Sequence, residues 1–433
     1  MDHPPTDRRA GFASRRALWS WVTYDWGSNA FATVIQTFVF ATFFTRAVAP
    51  DPATGQSWWS WAMAIAAVTI AILAPITGAI ADATHRRKPW IAAGTGLCVI
   101  ATACMWLIRP DSDWVIAALA FGAIGTLGSE LALVPYNAML ADLVPRRRLG
   151  SWSGYGWGAG YLGGLACLII VLLLFARPGS PVRTWLGDDE AINLRVAFVF
   201  CAVWYAGFSL PLFLFTPEQA PAACDATRQK RENPFTRLLR GLRGMRRRPD
   251  VLRFLIARLL YIDGMATLFQ LGGVYAAGVF AMDASRVLYF GITLTAAAGI
   301  GAIAFSRVDD HIGGRRTVLL GLVALCVGCL VALLAPNEPW LWAGAVIIGT
   351  FVGPVQSGSR SLMARMAGEE ERGELFGLFA FSGKVMSFLG PASVGLVTWL
   401  SGSQRWGMAS VLVFLVGGAV VLLTVREQDH SEG

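Results

Sequence analysis

Residues 152–175 read WSGYGWGAGYLGGLACLIIVLLLF, without one charged side chain. About twenty mostly apolar residues is the length an α-helix needs to cross a bilayer, so this stretch reads as a membrane span. Stretches of the same kind recur at 18–45, 59–81, 90–108, 114–141, 194–215, 252–279, 287–306, 317–335, 340–364, 375–400 and 406–425, and twelve spans are expected in all. Across 433 residues the chain is 55% hydrophobic and 15% charged, with a mean hydropathy of +0.53. A soluble domain carries about a quarter charged residues, so this chain has lipid as its solvent. Only helices or closed barrels satisfy every backbone group inside hydrocarbon, and the alternation of barrel strands is missing. The expected fold is an all-α integral membrane protein.

The net charge of +8 is distributed topologically. Most of the 36 Lys and Arg residues fall in the N-terminal tail, in the connections 82–89, 142–151, 216–251, 307–316 and 365–374, and in the C-terminal tail. By the positive-inside rule both termini are cytoplasmic, in a multi-pass protein of the cytoplasmic (inner) membrane. That placement argues against a nucleic-acid partner and for membrane lipids as neighbours. Residues 1–17 are polar and basic and the apolar stretch after them is too long for a signal h-region, so no cleavable signal peptide is expected. Six of seven cysteines fall in spans and Cys224 in a loop, which implies no disulfide framework; Cys326-x-x-Cys329 reads as packing.

The longest polar stretch, 216–251, is basic and central, with six spans on either side. The expected organisation is a tail (1–17), a six-helix bundle (18–215), a linker (216–251), a second six-helix bundle (252–425) and a second tail (426–433). The linker segment 234–248 has Leu and Arg at helical spacing, as an amphipathic helix on an anionic leaflet would, or as a solvated linker. The halves repeat each other. Gly78-x-x-x-Asp82-x-x-x-Arg86-Arg87-Lys88 follows the second span and Asp310-x-x-Gly313-x-Arg315-Arg316 follows the eighth. Tyr24-Asp25 is echoed by Tyr261-x-Asp263, and Gly150-x-x-x-Gly154 by Gly373-x-x-x-Gly377.

A six-plus-six arrangement with this Gly-x-x-x-Asp and Arg/Lys cluster resembles the major facilitator superfamily, with Ala83 and His85 departing from its pattern. The resemblance implies two pseudo-symmetric bundles that rock about a midplane site. It also implies that Asp82, Arg86 and Arg87, with Gly78, Asp142 and the repeat counterparts Asp310 and Arg315, latch the halves in one access state. A narrower resemblance, to the vacuole-effluxer branch, is carried by 24–32 (YDWGSNAFA), 260–264 (LYIDG), 360–365 (RSLMAR), Phe376-Gly377-Leu378 and Gly383-Lys384. That branch implies amino-acid efflux in its autophagy-related eukaryotic members. Arg outnumbers Lys 33 to 3, more typical of a GC-rich bacterial genome.

Ionisable groups inside spans usually face a cavity or a partner. At 100° per residue Asp25, Asn29, Thr33 and Gln36 form one stripe, and Asp263, Thr267 and Gln270 another on the symmetry-related helix. Such stripes suit the wall of a water-filled pathway. Asp25, Asp263 and Glu130 are therefore candidates to carry a proton, the alternative being permanent pairs with interior bases. Arg360 and Lys384 could hold a substrate carboxylate or phosphate, with Gln356 on the face of Arg360 and Asn137 on that of Glu130. Arg258 reads as snorkelling to the interface. The glycine run from Gly154 to Gly164 reads as a close-packing surface, and Trp19, Trp21, Trp58, Trp59, Trp90, Trp114 and Trp340 as interfacial anchors.

These features point to a secondary transporter moving an amino acid or similar small zwitterion or anion by alternating access, coupled to protons. No Walker-type Gly-x-x-x-x-Gly-Lys-Ser/Thr is present to drive it with ATP. A lipid or amphiphile exporter and a non-transporting receptor or scaffold are the competing readings. His3, His85, His311 and His430 lie in loops or tails without HExxH or Gly-x-Ser-x-Gly, so no enzyme, metal or cofactor is expected.

Overall fold

The computed structural model describes residues 12–84, 86–187, 189–218, 248–368 and 371–426. The tail ends, His85 and the linker segment around 234–247 lie outside the described residues. Every regular element among the described residues is helical, and ten helical stretches are long and apolar enough to cross a membrane.

In chain order the longer helices are α1 (Arg15–Ala30), α2 (Pro52–Thr84), α3 (Lys88–Cys104), α4 (Val115–Leu143), α5 (Leu149–Val171), α6 (Ile192–Phe215), α7 (Pro249–Phe280), α8 (Ala284–Ile312), α9 (Gly314–Leu333), α10 (Glu338–Met366), α11 (Arg372–Ser382), α12 (Leu389–Ser401) and α13 (Val411–Leu423). Local chemistry sets several starts. Ser14 accepts from Ala17 N–H, Asp283 from Arg286 N–H and Asn337 from Trp340 N–H, each satisfying an orphan donor of the first turn. Gly313 has φ +87°, a conformation open to glycine, which lets α8 turn directly into α9. Pro75, Pro135, Pro211 and Pro354 are absorbed inside α2, α4, α6 and α10.

Three expectations are corrected. The span at 375–400 is not one helix: α11 ends at Ser382, turns occupy residues 383–388, and α12 begins at Leu389. Pro391 lacks an N–H for the Ser387 carbonyl, which leaves a continuous helix short of a bond there. The polar stripe of the first span does not stay on one face. Asp25, Asn29 and Thr33 lie against Gly156, Gly160 and Gly164 of α5, where any Cβ would crowd them. Beyond Ala30 the chain becomes a π-helix, Phe31–Phe38, whose wider turn rotates Gln36 away from that face to donate to Thr126 Oγ1 of α4 at 2.7 Å. Trp21 is no interfacial anchor; it is buried and stacked on Tyr136 with ring centroids 4.7 Å apart.

The glycine run has two faces. With α1–α6, before the linker, labelled the first bundle and α7–α13, after it, the second, Gly156, Gly160, Gly163 and Gly164 admit α1, while Gly154 and Gly158 admit α8, whose Ser306 and Ile303 would meet an added Cβ. α2 and α11 touch in the same manner at Gly78 and Gly373. The bundles therefore meet along two seams, α5 on α8 and α2 on α11, where missing side chains let backbones approach and dispersion contacts accumulate.

Candidate functional site

Between the seams, Arg360 of α10 reaches into the first bundle. Its Nη1 donates to Asp25 Oδ2 at 3.2 Å and to Asn137 Oδ1 at 3.1 Å, its Nε to Ser153 Oγ at 3.0 Å, and its Nη2 to the Ser153 carbonyl at 2.6 Å. The guanidinium carbon lies 4.9 Å from the Trp21 ring centroid and 5.6 Å from that of Trp157, within cation–π range. Tyr136 steadies the cage: its hydroxyl donates to the Trp21 carbonyl at 2.9 Å and its own carbonyl accepts from Trp21 Nε1 at 3.2 Å. Arg360 and Asp25 side chains are 2% and 7% exposed. A buried ion pair recovers its desolvation cost only when further hydrogen bonds complete it. Arg360 has them, so it clasps α1, α4 and α5 to α10.

A second inter-bundle pair is more open. Lys384 Nζ, in the turns between α11 and α12, lies 2.7 Å from Glu130 Oε1 of α4, with side chains 31% and 24% exposed. The Arg360 cage, by contrast, is enclosed. Gln356, one turn before Arg360, donates to Tyr161 Oη of α5 at 2.8 Å, another link between the halves.

At the end of the molecule bearing the basic connections, the aspartates of the repeated motif act crosswise. Asp82, ending α2, accepts from the amides of Gly373 and Glu374 at 2.8 and 2.9 Å, at the N-terminus of α11 in the other bundle. Asp310, ending α8, accepts from Ser151 N–H at 3.1 Å, at the N-terminus of α5. A carboxylate at a helix N-terminus satisfies orphan donors and meets the positive end of the dipole, each contact being worth about 0.5–2 kcal/mol. Arg87 lies 3.7 Å from Asp82 and also pairs with Asp142, which Arg372 joins from α11. In the second half Arg365 pairs with Asp309 at 2.6 Å and lies 3.9 Å from Asp310.

One helix, α7, holds both ends of the α11–α12 interruption. Arg258 donates to the Phe379 carbonyl at 2.5 Å and to Ser382 Oγ at 2.8 Å, with its guanidinium 3.5 Å over the Phe379 ring. Five residues on, Asp263 Oδ2 accepts from Gly390 N–H at 2.7 Å. The snorkelling expected of Arg258 is therefore corrected: it is buried, because free carbonyls where α11 ends supply acceptors inside the protein.

The sequence model described as vacuole effluxer Atg22-like matches residues 52–432. The chain belongs to the Atg22-like vacuole effluxer family. This Atg22-like chain is 27% identical over 424 residues to the MFS-type transporter YxiO of Bacillus subtilis (strain 168), covering 95% of each. It is 28% identical over 283 residues to autophagy-related protein 22 of Cryptococcus neoformans var. neoformans serotype D (strain JEC21 / ATCC MYA-565), covering 61% of this chain and 48% of that relative. In three dimensions it resembles the E. coli fucose:proton symporter FucP, with a TM-score of 0.72 at 13% identity, covering 95% of this chain and 98% of the other. It also resembles the human organic anion transporter MFSD10, with a TM-score of 0.71 at 18% identity, covering 94% and 99%. These likenesses show the major facilitator fold.

Within this Atg22-like fold the candidates named from sequence separate into groups. Asp25, Asn137 and Arg360 come together; Asn29 stands beside them, donating to the Asp25 carbonyl at 3.3 Å. Glu130 and Lys384 form their own pair, Gln36 and Gln356 lie on separate helix contacts, and Asp263 stands apart from all of these. Of the residues expected to latch the halves, Gly78, Asp82, Arg87, Asp142 and Asp310 lie at the bundle seams, while Arg86 is exposed. Arg315 instead donates to the Leu422 and Leu423 carbonyls at 3.2 and 2.7 Å, as Lys88 does to Phe213 at 2.9 Å, so each pins the last helix of its own bundle. Sequence reasoning missed Ser153, Trp157, Asp309, Arg365 and Arg372. Asp309 had a signal, its adjacency to Asp310; Ser153, just before the run read as packing, had none.

Proposed function

We propose that this Atg22-like protein is a secondary active transporter that carries an amino acid or similar small zwitterion across the cytoplasmic membrane by alternating access, coupled to protons. Twelve crossings follow if α7 and the interrupted α11–α12 segment are added to the ten apolar stretches. Both termini then lie on the cytoplasmic side with the basic connections. The observation that carries the reading is the Glu130–Lys384 pair. It joins opposite charges from the two bundles, is partly exposed, and has the chemistry to receive an ammonium group at Glu130 and a carboxylate at Lys384. A zwitterion replacing this contact bridges the bundles itself, so occupancy and rocking are linked. The Arg360 cage is the pivot in this scheme, and the crosswise aspartate caps are the latch that closes the cytoplasmic side.

The test is uptake into proteoliposomes from a labelled panel of amino acids, organic anions and organic cations, with and without a pH gradient. For a transported zwitterion, Glu130→Gln and Lys384→Gln each lower kcat/KM by about 10- to 100-fold, the value of a hydrogen bond to a charged group. Glu130→Gln recovers in part with analogues lacking the amine, and Lys384→Gln with analogues lacking the carboxylate. Equal transport by wild type and both variants removes the pair from the site. Movement of fluorescent lipids and of nothing else in the panel favours the exporter reading.

A further inference from the structure

Asp263 is 3% exposed, yet the backbone amide of Gly390 is the one hydrogen-bond partner of its carboxylate among the described residues, and Oδ1 has none. The Thr267 hydroxyl beside it is turned to the Asp263 carbonyl at 2.7 Å. The ionisable groups around it are committed elsewhere. Arg258, on the same helix, is spent on the end of α11; Tyr261 bonds Ser359 of α10 at 2.7 Å; Lys384 pairs with Glu130 of α4. α12 presents Gly390, and α13 packs Phe414 and Leu415 against the neighbouring Gly264. A carboxylate buried without a counter-cation is costly when ionised, and the natural relief is a proton.

Its position gives the proton something to act on. α7 sets a cation at the carbonyl end of α11 and an anion at the amide end of α12, the electrostatic arrangement that holds a discontinuous helix apart. The turns between them carry Lys384, the second bundle's half of the proposed substrate pair. We propose that Asp263 Oδ1 is a proton-binding atom and that its protonation loosens the start of α12, freeing Lys384 from Glu130. When Asp263 is ionised, the Gly390 contact is a charge-assisted bond reinforced by the helix dipole. When a proton from bulk water sits on Oδ1, the acid is neutral, the bond falls to ordinary strength, and the dipole no longer favours it. The inference rests on the transport reading for its purpose but not for its test.

The test is hydrogen exchange followed by mass spectrometry on the full-length protein in lipid nanodiscs between about pH 5 and pH 8, corrected for intrinsic exchange. Protection of the peptide spanning 384–392 falls about tenfold or more in acid for wild type, the difference between a charge-assisted and a neutral hydrogen bond. Asp263→Asn shows the low protection at every pH, and Asp263→Glu keeps a pH response with a displaced midpoint. Protection that is flat with pH in wild type, or an unchanged response in Asp263→Asn, overturns the proposal. So does protection that follows Na⁺ at constant pH, which assigns the atom to a metal cation. Because no substrate enters the measurement, its failure leaves the uptake result standing, and failed uptake leaves this result standing.

Discussion

Arg360→Ala in detergent or nanodiscs unfolds at a markedly lower temperature than wild type, and the double variant Asp25→Asn/Arg360→Ala recovers at least half of the loss. The single change removes four hydrogen bonds and two ring contacts and leaves Asp25 buried with its charge uncompensated. Breaking one side of a buried pair costs about 3–5 kcal/mol, whereas neutralising both sides is often near neutral. Asp25→Asn alone is milder, since Arg360 keeps Asn137, both Ser153 acceptors and the two tryptophan faces. The coupling in this cycle separates a charge effect from lost packing. Thermal melts of the four proteins, ranked at one heating rate because unfolding of such proteins is often irreversible, are the measurement. A double variant less stable than Arg360→Ala would show that the cage works through packing alone.

Gly78→Val abolishes uptake and transfers the population toward a state open at the basic-connection side. A Cβ at Gly78 would overlap the Gly373 carbonyl oxygen, and Gly373 in turn has no room for one against Gly78 and Asp82. Overpacking of backbone against backbone costs about 1–3 kcal/mol or more, and it falls wholly on the state in which α2 and α11 touch. A shift of that size changes the ratio of two access states by about 5- to 150-fold. Ser306→Cys, buried between α5 and α8 against Gly154, reports it in a background without the seven native cysteines. Labelling by an impermeant maleimide from the basic side is slow when Gly78 is kept and fast in the Gly78→Val variant. Unchanged labelling with normal uptake would mean that the seam stays shut through the cycle or has no part in it.

Much of this architecture is written along the chain because its physics is one-dimensional. The length of an apolar run is compared with the thickness of a bilayer, and a glycine every second or fourth residue removes side chains from a helix face wherever that helix is placed. The repeated Asp and Arg/Lys turns, the close-packing role of 154–164 and the family were legible for that reason. Pairing is different. Arg360, Lys384 and Arg258 are three cations, and Asp25, Glu130 and Asp263 three anions, all within apolar stretches of the sequence. Their assignment as cage, open pair and two ends of an interruption depends on separations of a few ångströms between segments hundreds of residues apart.

Read along the chain, composition and period specify an all-helical membrane protein and name its candidate charges, since burial in lipid constrains both at every position. Packing in three dimensions settles which charges meet, that the stretch 375–400 is interrupted, that the π-turn takes Gln36 off the Asp25 face, and that Asp263 alone of the three anions has no basic side chain beside it among the described residues. Electrostatic and hydrogen-bond energies fall off within a few ångströms and depend on direction, so they are properties of the packed helices and not of their order along the chain.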